Sequence, residues 1–415
     1  MLIKTKSKIK VLYNDAYGNI FPSNGPAAQG GPSRFAKIFY DFFSGDKKIE
    51  LIPIFFSNGN IGEKAHTKTG KYRKSQYAQI LYDVKKVIIL NNSKISRREY
   101  VNGISDIISA VKNFLSKNKP DVIFLNGFSI NNWILLRVGH LLKIPIIIQH
   151  AGLWKMELRI TEKFNPEIRK IFYSFEKDTI KWASHHIFLN EFSQNIFNKI
   201  YKSKETDLKI KNNSSIVPLP IEISNDSKFK LHQNSGVVRI GSVARWDGIK
   251  NHRAIYRLAT SKYKPSNWSV EVVTNIPKTT INQEFKAQYK KSVKIVKPMD
   301  SGKLSGFYRK MDVIFLPSNF DVSPTVVAEA FMQSVPVIIS DKVGWISEYE
   351  KCGLLCHTVE TDSSGEKIVD IINRTLLNKK KKLSHYKKFV DYLKKQHNPN
   401  IVFNQYLKLF KKYSK

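Results

Sequence analysis

Asp321 and Glu329 lie eight positions apart in the stretch LPSNFDVSPTVVAEAFMQSVPVIISDKVGW. Val313 to Leu316 read as an apolar strand, the polar residues after it as a loop holding Asp321, and Ser323–Pro324 as the turn into a short helix. Pro324 suits a helix start, because its ring presets φ and its missing N–H would go unpaired there anyway. Thr325 and Glu329 then fall one turn apart on one helical face. Glu329 stands among Val326, Val327, Ala328, Ala330 and Phe331, and a carboxylate in so apolar a helix is costly unless something binds it. The N–H groups of the helix start, Thr325 and Val326 included, attract an anion. Taken by itself, the pattern also fits a helix packed on a sheet with Glu329 on its solvated side.

Three further loops carry residues of chemical use. In GSVARWDGIKNH, Arg245 and Lys250 sit five apart after an apolar strand. One forked and one point-like cation in such a loop can clamp a diphosphate, although two basic residues on a surface loop need no function. In IIIQHAGLW, His150 follows a strand of the buried type. It is a site candidate by position and equally a loop histidine satisfied by backbone. In Gln29-Gly30-Gly31-Pro32-Ser33, two glycines allow close approach of a ligand to the backbone ahead of a helix start. The chain has no Walker loop, no HExxH, no Gly-x-Ser-x-Gly and no pair of aspartates one residue apart. A phosphate site would therefore neutralise charge with Arg, Lys and helix termini.

The elements that must position these loops alternate. IKVLY (9–13), ELIPIFF, VIIL, DVIFLN, IPIIIQ and HHIFLN read as strands of the first half. Between them, Phe35, Ile38, Phe39 and Phe42, then Ile104, Ile107, Ile108, Val111 and Leu115, recur at helical spacing. Further helices are expected near 130–142, 165–182 and 192–201. After SSIVPLP the alternation restarts with VVRIGSV, SVEVV, VKIV, VIFL and VPVIIS, and basic helices run from about 366 to the end. Strand, helix, strand in this order predicts α/β architecture with parallel sheets. The expected domains are 1–222, a linker at 223–236, 237–390, and a basic C-terminal helix over 391–415 packing back toward the N-terminal domain. Two doubly wound domains would face each other across a cleft, with ligands beyond the carboxyl ends of the strands.

At 415 residues, 42% hydrophobic, the chain has material for two packed cores. Cys352 and Cys356 have CxxxC spacing with no second pair, a poor zinc signal, and are expected to be core thiols of a reducing compartment. No apolar run reaches the length of a membrane span, and the start does not read as a signal peptide, so a cytoplasmic protein is expected. The net charge is +35. Residues 64–98 hold ten basic side chains against Asp83, and residues 374–415 hold thirteen against Asp391. Such a field favours nucleic acid or anionic lipid; lysines spent on solvated faces give the same count.

Taken together and in this order, the loops resemble the family 4 retaining glycosyltransferases of GT-B fold. The family pattern looks like Gly30–Gly31, His150, Arg245 with Lys250, and Asp321 to Glu329 followed by Ala330 and Pro336–Val337. The chain departs from it in three places: Asp321 replaces a Glu, Ser323–Pro324 replaces Phe-Gly, and Ser334-Val335 stands where the family carries a glycine ahead of its Pro-Val pair. The resemblance implies two Rossmann-like domains in the GT-B architecture. It implies that Arg245 and Lys250 hold the donor diphosphate, Glu329 the ribose diol, and the Thr325 and Val326 N–H groups the distal phosphate. Asp321 would touch hydroxyls of the transferred sugar, and His150 with the Gly30–Gly31 loop would line the reacting face. No metal and no cofactor is expected; a nucleotide-diphosphate sugar enters as co-substrate.

The implied activity is hexosyl transfer with retention, from that donor to a glycan or lipid-linked acceptor, in surface polysaccharide or lipopolysaccharide assembly. A further expectation is a peripheral seat at the inner face of the membrane, on anionic lipid, through 64–98 and 374–415. Two other readings stand behind this one: a GT-B enzyme that acts on nucleic acid or epimerises a nucleotide sugar, and a non-enzymatic basic nucleic-acid binder on the same fold. The second would need no carboxylate such as Glu329, and the chain has no interleaved aromatic–basic signature.

Overall fold

Short β-branched and aromatic runs separated by amphipathic helices leave this chain few options other than sheets covered on both faces. A computed structural model describes residues 8–16, 31–72, 75–221, 236–279 and 282–414. The chain divides into two compact units, Met1–Pro220 with Pro399–Lys415, and Ile221–Asn398.

The first unit holds β1 (Ile9–Asp15), β2 (Ile49–Asn58), β3 (His66–Tyr72), β4 (Ser75–Tyr82), β5 (Val122–Asn126), β6 (Ile146–His150), β7 (His185–Phe188) and β8 (Ser214–Ile216). Its sheet runs β3-β4-β2-β1-β5-β6-β7-β8. All neighbours are parallel except the β3–β4 hairpin, which adds an antiparallel edge that strand–helix alternation does not predict. One face packs Leu12, Ile123, Leu125, Ile146 and Ile148 against helices. On the other, Tyr13 packs on Phe39, and Phe124 on Phe35 and Phe39, of the helix Gly31–Phe43. The C-terminal helix Pro399–Tyr413 joins this aromatic layer, with Phe403 and Phe410 against Phe42, Phe39 and Phe43.

The second unit holds β9 (Val238–Val243), β10 (Trp268–Val273), β11 (Lys294–Val296), β12 (Val313–Leu316), β13 (Val337–Ser340) and β14 (Thr358–Val359). The sheet order is β11-β10-β9-β12-β13-β14, all parallel. In chain order this is 3-2-1-4-5-6, the doubly wound Rossmann arrangement. Alternate residues of the strands feed two cores: Ile314, Leu316, Val337 and Ile339 one, Ile240, Val313, Phe315 and Ile338 the other. Gly241 in β9 is required by this packing, since a Cβ there would stand 2.7 Å from Ile314 Cδ1 and 2.7 Å from Met311 Cγ.

Several elements differ from the sequence reading. VIIL is no strand; it lies inside the helix Val84–Asn92, capped by Asp83. The isoleucine repeat does fall on one helix, Ser105–Asn118, with Ile104 as the cap residue that separates it from the short helix Arg97–Gly103. Residues 391–415 are not one helix, because Leu383–Gln396 ends before a separate helix begins at Pro399. Cys352 is buried but Cys356 is exposed. Pro324 is the cap residue, one position before the helix Thr325–Met332. That helix ends in a Schellman motif: Val335 N–H donates to Ala330 C=O (3.0 Å) and Ser334 N–H to Phe331 C=O (2.9 Å). Ser334 has φ +66 there, a left-handed position that usually goes to glycine.

Candidate functional site

In the second unit the order reverses between β9 and β12, the place where sheets of this kind take ligands beyond the carboxyl ends of their strands. The loop after β9 holds Arg245, Asp247 and a tight turn, Gly248–Lys250. Asp247 accepts from the Lys250 N–H at 3.1 Å and fixes the turn. Asn251, left-handed at φ 50, caps the helix His252–Ala259 by accepting from Ala254 N–H. His252 locks the loop from below. Its Nε2–H donates to Arg245 C=O (2.8 Å), so Nδ1 accepts from the Tyr289 hydroxyl (2.9 Å). Burial lowers the His252 pKa, which agrees with this neutral tautomer.

The loop after β12 comes to meet it. Asn319 N–H donates to Ile249 C=O (2.7 Å) and its Nδ2 to Gly248 C=O (2.8 Å). Lys250 Nζ forms an ion pair with the Asp321 carboxylate, both side chains being about one-sixth exposed. Asp321 is also bridged to the loop after β13: its N–H donates to Lys342 C=O (3.1 Å) and its C=O accepts from Gly344 N–H (2.8 Å). Three strand-end loops therefore converge on one residue. Arg245 is 70% exposed and only loosely held by Asp247 at 3.4 Å, a pair of little energetic weight that leaves the guanidinium usable.

The helix Thr325–Met332 starts on Pro324 with no side-chain cap on its first N–H groups. Trp345 Nε1–H donates to Pro324 C=O (3.1 Å) and pins this start. Thr325, Val326 and Glu329 are half-buried along the helix. Glu329 is not simply solvated, for the Tyr308 hydroxyl donates to its Oε2 at 2.8 Å. Tyr308, from the helix Ser301–Arg309, carries no signal in the sequence, and neither does Asp247. The hydroxyls of Ser242, Thr274 and Ser318, at or just past the ends of β9, β10 and β12, are buried without a partner among the described residues.

In the first unit the corresponding reversal lies between β1 and β5. Gly30 lies outside the described residues, and Gly31 opens the helix Gly31–Phe43. Register places Asp15, Asn126 and Gln149 side by side across β1, β5 and β6. Gln149 Nε2 donates to Asn126 Oδ1 (2.6 Å), Asn126 Nδ2 to Asp15 Oδ2 (2.6 Å), and the Tyr13 hydroxyl also donates to Asp15 (3.0 Å). Tyr406 of the C-terminal helix donates to Gln149 Oε1 and ends the row. No spacing rule flags this row, since its members come from four distant segments.

His150 is the last residue of β6 and fully buried, not an open loop histidine. Its Nε2 lies 3.0 Å from His186 Nδ1, with the two rings parallel within 2°, and Phe188 and Phe197 pack on it. Burial pushes the His150 imidazole down to about 3, and burial lowers His186 too, so the pair is neutral. His150 Nδ1 and His186 Nε2 have no partner among the described residues. Just beyond, Glu176 accepts from the Trp154 (2.7 Å) and Lys155 (3.0 Å) N–H groups and from the Tyr201 hydroxyl. It thereby holds the helix Trp154–Thr161 that follows the His150 loop.

Residues 224–400 match the model of the family described as glycosyl transferases group 1. No curated protein matches the chain at the level of sequence. Solved structures do match in fold. A sucrose-phosphate synthase from Thermosynechococcus elongatus is 14% identical, TM-score 0.68, over 98% of this chain and 99% of that one. The E. coli trehalose-6-phosphate protein bound with UDP-2-fluoro glucose is 13% identical, TM-score 0.68, over 97% and 99%. An alpha,alpha-trehalose-phosphate synthase (UDP-forming) from Burkholderia xenovorans, in complex with glucose-6-phosphate, is 11% identical, TM-score 0.67, over 98% and 100%. Arg245, Lys250, Asp321 and Glu329 all lie within the residues that match this family model, in a chain that shares the GT-B fold of these solved structures.

Proposed function

We propose that the protein is a retaining, metal-independent hexosyltransferase of the family 4 type, taking a nucleotide-diphosphate sugar as donor and a glycan or lipid-linked acceptor. The observation that carries this reading is the convergence of Arg245, Lys250 and Asp321 at the order reversal of the second sheet. Breaking a sugar–phosphate bond builds negative charge on the leaving diphosphate and positive character at the anomeric carbon. Arg245 and Lys250 stabilise the first, together with the Thr325 and Val326 N–H groups on the distal phosphate. Lys250 is then shared between the diphosphate and Asp321, which in turn orients hydroxyls of the sugar. Glu329, aligned by Tyr308, takes the ribose diol. His150, buried at the end of β6, serves the reaction by holding the loop that follows it, and same-face attack by the acceptor hydroxyl needs no covalent nucleophile. The polar row ending at Asp15 belongs to the acceptor side. Assembly of surface polysaccharide or lipopolysaccharide at the inner face of a membrane is the setting that suits a lipid-linked acceptor.

The test is metal-free calorimetry of UDP-, GDP- and ADP-sugars against the wild type and Arg245→Ala. UDP-glucose goes first, because a protein of the same fold was solved with UDP-2-fluoro glucose. Binding of one donor that Arg245→Ala abolishes is the expected result. Folded protein that binds none of them overturns the reading. An acceptor panel then begins with glucose-6-phosphate and lipid-linked glycans.

A further inference from the structure

The run VIIL supplies neither a strand nor core. In the helix Val84–Asn92 no residue is fully buried, and Val87 and Leu90 only partly pack on the first core. Helical spacing turns Lys85, Ile88, Ile89 and Asn92 to the opposite side, and all four stand in solvent, Ile88 exposed by 52% and Ile89 by 65%. Two adjacent isoleucines left in solvent on a helix face are a departure from ordinary amphipathic patterning. A third, Ile61, is 68% exposed and sits beside the start of the same helix, because Gly62 N–H donates to the capping Asp83 carboxylate (3.0 Å).

The surroundings are basic. Asp106 accepts from both Lys86 Nζ (3.1 Å) and Ala65 N–H (3.2 Å), which sets the helix alongside the start of β3. Lys64, exposed, and Lys68 belong to that neighbourhood. Across 64–98 ten basic residues face one aspartate, Asp83, and that aspartate is spent on the cap. Exposed isoleucines rimmed by lysines on a short helix match the chemistry of an interfacial helix, apolar side to the acyl boundary and cations to anionic headgroups. The second basic region, 374–415, is divided between the two units and offers no comparable apolar pair on one helix.

We propose that the helix Val84–Asn92, with Ile61 beside it, docks the protein on an anionic bilayer by inserting Ile88 and Ile89 among the headgroups. This deepens the membrane setting of the proposed function, and its test reads vesicle binding without requiring transferase activity. The test is co-sedimentation of the full chain with vesicles of phosphatidylcholine, alone or doped with phosphatidylglycerol. Wild type is expected to pellet with the anionic vesicles. Ile88→Ser with Ile89→Ser is expected to lower the partition coefficient about tenfold or more, and Lys64→Glu with Lys85→Glu several-fold. All four side chains are exposed, so the variants retain the fold, which thermal melts verify. Three results would each overturn the proposal: equal recovery on neutral and anionic vesicles, an isoleucine variant that pellets like wild type, or a wild-type oligomer that the isoleucine variant converts to monomer without vesicles.

Discussion

Lys250 Nζ is ion-paired with Asp321, 71 residues away in the chain, and the pair joins the loops after β9 and β12. Both side chains are shielded to about five-sixths, so removing either partner leaves a poorly solvated charge behind. Lys250→Met and Asp321→Asn are each expected to destabilise by about 1–3 kcal/mol. The double variant should cost less than the two singles together, by at least about 0.5 kcal/mol. Urea unfolding of the four proteins measures this, and strict additivity would show that the pair is not energetically coupled.

The Tyr308–Glu329 hydrogen bond gives a sharper functional prediction. Tyr308→Phe keeps the ring packing and deletes one donor to a carboxylate. Under the proposed ribose role, nucleotide affinity should fall about tenfold, the worth of a hydrogen bond to a charged group. Turnover at saturation should barely change, because the contact acts equally in ground and transition state. Calorimetry and steady-state kinetics separate the two.

The buried, neutral His150–His186 pair predicts the form of the pH–rate profile. His150 takes up a proton only near 3, far below the ordinary 6.5 of an imidazole. No limb between pH 5 and 8 should be traceable to it. A limb near 6.5 that vanishes in His150→Gln contradicts the buried geometry. His186→Val removes the ring that His150 Nε2 meets and frees its tautomer; kcat is expected to fall about tenfold with KM little altered.

Stability should depend on the same chemistry. Burial lowers the pKa of His150 to about 3, of His185 to about 4 and of His357 to about 4. Each is neutral in the fold and ionises near 6.5 when unfolded. Below pH 6.5 the unfolded chain binds protons that the folded one does not, so stability is fully present above that pH and is lost as pH falls toward 4. The slope is up to about 1.4 kcal/mol per pH unit for each histidine. Denaturant midpoints between pH 7.5 and 5 test the sign; a midpoint that rises on acidification contradicts it.

Much of the second unit's site is legible in the sequence. Arg245 and Lys250 follow a strand, and Thr325, Val326 and Glu329 follow another through a turn; local spacing and charge suffice to pick them out. Tyr308 and Asp247 are not legible there, because a tyrosine or an aspartate carries no signal until its partner is known. VIIL reads as a strand and folds as a helix because a short apolar run has no period long enough to separate the two, and its exposure in this chain is a tertiary outcome. The antiparallel β3–β4 edge escapes for a similar reason: HTKTGKY is polar and lacks the alternation of a half-buried strand.

By itself the sequence determined the alternation of strands and helices, the chain order of the loops, and the residue types at their tips, since those depend on neighbours within a turn or two. Tertiary structure alone decided which loops meet. The pairing of Lys250 with Asp321 follows from the strand order β9-β12, the row from Tyr406 to Asp15 from register across three strands, and the closed pocket of His150 from rings on β7 and the helix Glu191–Ile200. These are contacts between segments far apart in the chain, set by sheet order and close packing rather than by any local preference.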